Sequence, residues 1–330
     1  GVLYALIGLI VIRTGTAWIE KLMPPIVTGA IVMIIGLHLA PVAIKSVSAN
    51  QFDSWMALIT IICISVIAVF TKGMVRRLLL LLGLVASYFI YFLLTNVMGF
   101  GTAIDFAKVG QAAWFGLPTF HSPTFDVNAM MLIAPVAIIL VAENLGHFKA
   151  VSAMTGKNLS PYMGRGFFAD GVCTTLSASV GGTGMTTYAE NIGVMAVTKV
   201  YSTTIFVFAG VFAFLLGLSP KFVAVISTIP VALLGGASIV VFGLITVAGA
   251  KIWVDNKIDF TKSSTLMIGA VCLIMGTGNY SLQIGSFDLG GIGTATLAAI
   301  LLNLFLNRGS EKEQVVEKSE DQINSTIAHS

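Results

Sequence analysis

Four ionisable side chains sit inside apolar runs of this sequence: Glu143 and His147 in LIAPVAIILVAENLGHFKA, Asp170 in GRGFFADGVCTT, and Glu190 in TTYAENIGVMAVTKV. A charged group at the centre of a membrane helix costs about 2.5–3.5 kcal/mol on insertion scales, so such a group is a functional candidate by default. Glu143 and His147 are four residues apart and share one face of a helix, within hydrogen-bonding reach. A carboxylate–imidazole pair shielded by protein can hold or release a proton near neutral pH. The plainer alternative is that His147 merely satisfies a buried Glu143, or that both reach out to the membrane interface. Asp170, on a short polar segment between the other sites, reads equally as a further proton group behind the first or as a structural partner for a loop cation.

Glu190 has the more specific setting. The preceding SVGGTGMTTY carries Gly181, Gly182 and Gly184, which interrupt a helix, and then Thr186, Thr187 and Tyr188, which favour extended backbone. Residues 189–197 then read as a short helix. An extended stretch leading into a half-helix at membrane depth presents unpaired backbone N–H groups and the positive end of the helix dipole. Those amides can donate to a ligand carbonyl while Glu190 accepts from a ligand N–H. A re-entrant turn that only packs the bundle is the bland alternative, and the carboxylate at the break favours a site.

The elements that must position these groups follow from composition. Of 330 residues, 56% are hydrophobic and 10% charged, against about 25% charged in an ordinary soluble domain. The mean hydropathy is +0.94. Too few polar groups exist to cover a water-facing surface, which excludes a cytosolic enzyme, a disordered chain and a nucleic-acid binder. The net charge of +3 is spread among loops and forms no patch for a polyanion. Cys63, Cys173 and Cys272 are single and lie in apolar runs, as small hydrophobes rather than metal ligands or disulfide partners. GGTGMT and GGASIV lack the Lys of a phosphate loop and the spacing of a dinucleotide fingerprint. With no nucleophile–base or metal constellation, the expectation is an all-α polytopic membrane protein that is not an enzyme and holds no metal.

Eleven apolar segments are expected, at about 1–13, 24–46, 54–71, 76–98, 126–148, 164–180, 187–199, 201–219, 222–250, 263–280 and 288–307. The sixth and seventh are too short or too polar for ordinary lipid-facing spans. Fifteen of the eighteen Lys and Arg residues fall in alternate loops and the tail, and the intervening loops hold only Lys45, Lys108 and Lys221. Cytoplasmic loops collect basic residues, so the C-terminus is expected in the cytoplasm, in the cell membrane. The chain opens at Gly1 in GVLYALIGLIVI, which reads as a start within a membrane segment, with an odd number of spans upstream. The tail, 309–330, is polar and aperiodic and reads as disordered.

ENIGVMAVTK at 190–199 resembles the signature of the nucleobase–ascorbate transporter family: Glu, Gln or Pro, then Asn, any residue, Gly, four of any kind, and Thr. VAENLGHFKAV at 141–151 is similar to that family's other acidic motif, in the right order and separation. TTYAENIGVMAVTKVYST is most similar to the bacterial uracil and pyrimidine branch; the xanthine and urate branches typically have Gln where Glu190 stands. The resemblance covers residues 1 to about 308. It implies fourteen segments in two inverted seven-segment repeats, divided into core and gate domains, of which the fourth to the fourteenth are present. On that template residues 1–23 end the first-repeat core, 24–125 form its gate segments, 126–219 the second-repeat core with the site, and 220–308 the second gate.

The resemblance further implies that Glu143 and Glu190 contact the base, with the helix-start backbone at Tyr188 and Ala189 and a supporting His147. Ala189 stands where the uracil permeases have Gly, which narrows the pocket slightly. Phe242 occupies a gate position that resembles a Tyr, so a hydroxyl contact is lost there. The family's third segment, which supplies backbone contacts to the base, is not in this chain, and a homodimer through the gate domain is implied. The expected function is proton-coupled uptake of a nucleobase, uracil or a related pyrimidine, by alternating access, with no cofactor beyond the proton. Glu143, His147 and Asp170 are the proton-coupling candidates. The alternatives are a xanthine or other purine permease of the same family, or an anion transporter of the same architecture, which two acidic residues at the site would disfavour.

Overall fold

A computed structural model describes residues 1–134, 136–188, 191, 192, 195, 199–284 and 287–306, with the backbone alone at 20, 139, 142, 149, 150, 153, 284, 287 and 288. Ala189, Glu190 and the tail 309–330 therefore lie outside the described residues. The described chain is almost wholly helical: α1 Val2–Thr14, α2 Ala17–Leu22, α3 Pro25–Val47, α4 Gln51–Phe70, α5 Gly73–Arg77, α6 Leu79–Phe92 with a π turn Leu93–Val97, and α7 Ala107–Gln111. Then follow α8 Val127–Ile133, α9 Val136–Thr155, α10 Met163–Ser179, α11 Thr203–Gly217, α12 Pro220–Ser227, α13 Val231–Asp255 and α14 Ser263–Thr277. A two-residue hairpin, β1 Gln283–Ile284 with β2 Phe287–Asp288, precedes α15 Gly290–Leu306.

Five of the described helices are long and apolar enough to cross a membrane, and six if a bent pair is one span; α1, α14 and α15 are shorter apolar helices. The bent pair is α11 and α12, which meet at 80°. Its cause is local: the Ser219 hydroxyl accepts from the Phe222 N–H at 3.3 Å and Pro220 takes the first helical position, so a new helix starts there. The expected segment 222–250 is not one helix. It divides into α12 and α13, because Pro230 has no N–H to continue the helical ladder and disfavours helical backbone at Ile229. Segment 126–148 corresponds to one of the five long apolar spans, Val127–Phe148, which carries α8 and the start of α9, and α9 runs on to Thr155.

The chain divides into two compact units. One comprises Gly1–Ile12, Leu39–Thr124 and Asn144–Leu244; the other comprises Arg13–His38, Phe125–Glu143 and the described residues from Ile245 on. In the first, α1 and α10 touch backbone to backbone. A Cβ placed on Gly8 would lie 2.3 Å from the Phe168 nitrogen, one on Gly164 2.6 Å from the Ile12 nitrogen, and one on Gly171 2.3 Å from the Ala5 nitrogen. Small residues permit this approach where lipid offers no hydrophobic gain for association. The buried Tyr4 then stacks on the buried Phe167, ring centroids 5.6 Å apart. In the second unit, α3 and α13 meet in the same way at Gly29 and Gly249, and the Trp253 indole donates to the Ile26 carbonyl at 3.0 Å.

Candidate functional site

The glycines before Glu190 turn the chain at the end of α10. Gly181 takes φ +88°, a left-handed conformation that favours glycine, and the Gly182 N–H closes the turn on the Ser177 carbonyl at 2.8 Å. The chain then folds back along α10 without helical structure through Tyr188. Thr174 fixes that return from both sides, its hydroxyl donating to the Met185 carbonyl at 3.2 Å and accepting the Met185 N–H at 3.0 Å. The stretch carries no helix, and it forms no strand ladder among the described residues. Helical backbone resumes at Asn191 and Ile192, and the Asn191 N–H bonds the Tyr188 carbonyl at 3.2 Å.

This path delivers Thr187 to α9, where a polar cluster is centred on Asn144, a residue only 1% exposed. The Asn144 amide donates to the Tyr4 hydroxyl at 2.6 Å and to Asp170 Oδ2 at 2.8 Å. Its carbonyl oxygen accepts the Thr187 hydroxyl, and the Thr187 oxygen lies 2.6 Å from His147 Nδ1. Asp170, Asn144, Thr187 and His147, from two helices and the returning stretch, thus form one hydrogen-bonded chain with α1 joined through Tyr4. Asn144 and Tyr4 are the buried members and satisfy each other, Asp170 and His147 are half-buried, and Thr187 at the outer end is exposed.

Of the residues singled out from sequence, the structure joins His147 and Asp170 through this chain. Asp170 therefore pairs with Asn144. Glu143 is the half-buried residue immediately before Asn144 on α9. Tyr188 directly follows Thr187 and is 64% exposed, and Phe242 is half-buried on α13. Glu190 and Ala189 lie outside the described residues. Sequence reasoning missed Asn144, Thr187 as a contact, and Tyr4. An Asn flanked by Glu143 and His147 in an apolar helix was the available signal. The Thr186 hydroxyl is buried without a hydrogen-bond partner among the described residues, which leaves a donor for a ligand or a water. Among the described residues no group of three or more His, Cys, Asp or Glu is placed to hold a metal ion.

A cavity of about 760 Å³ elsewhere in the first unit is lined by Tyr91, Asp105, Lys108, Thr119 and Pro230, among others, and by none of the residues above. Its size does not make it the site, because it contains none of the paired carboxylate and imidazole groups that motivate one.

Comparison with known proteins identifies the family. The Permease family model (Xan_ur_permease) matches residues 1–284. A protein of Escherichia coli strain K12 named "Putative pyrimidine permease RutG" is 63% identical over 308 residues, covering 93% of this chain and 70% of that protein. The uracil permease of Paenibacillus larvae is 38% identical over 316 residues, covering 93% of this chain and 74% of its own length. That of Escherichia coli strain K12 is 35% identical over 333 residues, covering 97% and 76%. These relatives are transporters rather than enzymes, and with the apolar helices they make this a multi-pass membrane protein. The chain belongs to the permease family.

Proposed function

We propose that this chain carries the substrate site of a nucleobase importer that prefers uracil or a related pyrimidine and couples uptake to proton entry by alternating access. The observation that carries the proposal is the hydrogen-bonded chain from Asp170 through Asn144 and Thr187 to His147. Its member Thr187 stands three residues before Glu190, in a protein whose relatives are named pyrimidine and uracil permeases. Uracil offers two ring N–H donors and two carbonyl acceptors. Glu143 and Glu190 would accept from the ring, while the backbone amides at Tyr188 and Ala189 would donate to its carbonyls. A site built this way rejects analogues lacking those groups strongly. Protonation of Glu143 with His147 would lower the cost of moving the loaded site through the membrane.

The same reading takes the chain as eleven of fourteen segments in two inverted repeats. Residues 126–219 form core segments, and 24–125 and 220–308 form gate segments through which a homodimer assembles. Phe242 closes the pocket from the gate, and the C-terminus is cytoplasmic. Radiolabelled uracil uptake by the full-length protein in vesicles with an imposed pH gradient tests it. Uptake should rise when the outside is acidified, fall about ten- to a hundredfold in Glu190→Ala, where a charge-assisted bond to the ring vanishes, and be competed by thymine more than by xanthine. Uptake indifferent to the gradient removes proton coupling, and stronger competition by xanthine assigns a purine instead.

A further inference from the structure

We propose that Asn144 is a positioning residue which, through Thr187, keeps a hydrogen on His147 Nδ1 and so confines the imidazole's proton exchange to Nε2. The argument is a count of hydrogens. Asn144 has one amino group and one carbonyl oxygen. The amino group gives both hydrogens away, to the Tyr4 hydroxyl at 2.6 Å and to Asp170 Oδ2 at 2.8 Å. A carboxylate can only accept. Turning the amide round would set its oxygen against that of Asp170, so while Asp170 is a carboxylate the orientation is fixed. The Asn144 oxygen then faces Thr187 and can only accept, and the Thr187 hydroxyl donates to it.

A hydroxyl has a single hydrogen. With it committed to Asn144, the Thr187 oxygen can only accept from its other neighbour, His147 Nδ1 at 2.6 Å. Nδ1 must therefore carry a hydrogen, in the neutral ring and in the imidazolium alike. Which ring nitrogen holds the proton is set by the partner of the other one. Nε2 is then where a proton arrives and leaves, whatever else it contacts.

The arrangement also separates two ionisable groups that look like neighbours in a wire. The amide of Asn144 does not ionise, so no proton passes from Asp170 to His147 by way of it. Asn144 transmits orientation, not charge. Tyr4, Asn144 and Thr187 are drawn from α1, α9 and the returning stretch, and the buried position of Asn144, 1% exposed, keeps competing water from its bond to Tyr4, while the outer link from Thr187 to His147 is exposed.

This inference deepens the proposed function and rests on it only for its bearing on transport. The full-length protein labelled with ¹⁵N-histidine tests it directly, with the ring resonances of His147 assigned by their loss in His147→Gln. At a pH where the ring is neutral, the wild type should show its protonated nitrogen at Nδ1. Thr187→Ser, which keeps the hydroxyl, should preserve that state. Thr187→Val and Asn144→Leu should each abolish the exclusive Nδ1–H state; Thr187→Val serves alone if Asn144→Leu does not fold. A wild-type ring protonated at Nε2, or an unchanged tautomer in Thr187→Val, overturns the proposal. The spectra are recorded without substrate, so a protein that fails to import uracil but keeps the Nδ1–H state defeats the transport reading and leaves this one standing.

Discussion

Two histidines in apolar helices show what a partner can and cannot make of an imidazole. His38, on α3 in one unit, places Nδ1 3.0 Å from the Gly276 backbone carbonyl. His147, on α9 in the other, places Nδ1 2.6 Å from the Thr187 hydroxyl. A carbonyl only accepts, is fixed in its helix and never changes protonation, so His38 is a donor that pins α3 to α14. A hydroxyl gives and receives, and the one beside His147 is itself tied to an amide and a carboxylate. The same ring is a tie to fixed backbone in the first place and one member of a side-chain network in the second. Both units bring helices into backbone contact through glycine, at Gly29 and Gly249 in one and at Gly8, Gly164 and Gly171 in the other. Close packing therefore does not mark a site. What distinguishes the α1–α9–α10 region is that its polar groups answer one another instead of backbone.

The comparison can be broken most forcefully at its scaffold. Gly171→Leu drives a side chain into the Ala5 backbone, 2.3 Å from where the Cβ would lie. It should cost about 3 kcal/mol or more, at the upper end of overpacking, and abolish uptake, as read by thermal melting in detergent and by transport. Asn144→Leu comes next. It withdraws the amide that Asp170 and Tyr4 both use, and leaving a half-buried carboxylate oxygen without its donor should destabilise by about 1–3 kcal/mol. An unchanged melting temperature would mean that the cluster bears no load.

His147→Gln should separate function from folding. Uptake should fall about tenfold, the equivalent of 1.4 kcal/mol in the transport step, with melting little altered. His38→Gln should do the least: the amide can still donate to the Gly276 carbonyl, so stability should shift by less than about 1 kcal/mol and uptake stay near wild type. If His38→Gln impaired uptake as much as His147→Gln does, the contrast between the two histidines would be wrong.

Much of the site was legible along the chain because its cues are local. The i, i+4 pair of Glu143 and His147 needs only helical periodicity, and the break before Glu190 needs only the conformational habits of Gly181 and Gly182. Asp170 stood out as a carboxylate in an apolar run, but its role stayed open because its partner Asn144 is 26 residues away. Tyr4 and Asn144 are 140 residues apart, beyond any periodic pattern. The division of 222–250 into α12 and α13 was announced by Ser219-Pro220 and by Pro230. Hydropathy hid it, since an apolar run looks the same whether or not its backbone bends.

Taken alone, the sequence determined that this chain is a bundle of apolar helices with a few costly ionisable groups, because the energy of burying charge and the helical period act over a few residues. Tertiary structure decided which of those groups meet. Only the glycine contacts of α1 with α10 and the return of the stretch after Gly181 bring Tyr4, Asp170 and Thr187 to Asn144. Hydrogen bonds need partners within about 3 Å, and that proximity is a property of the packed helices, not of the order of their residues.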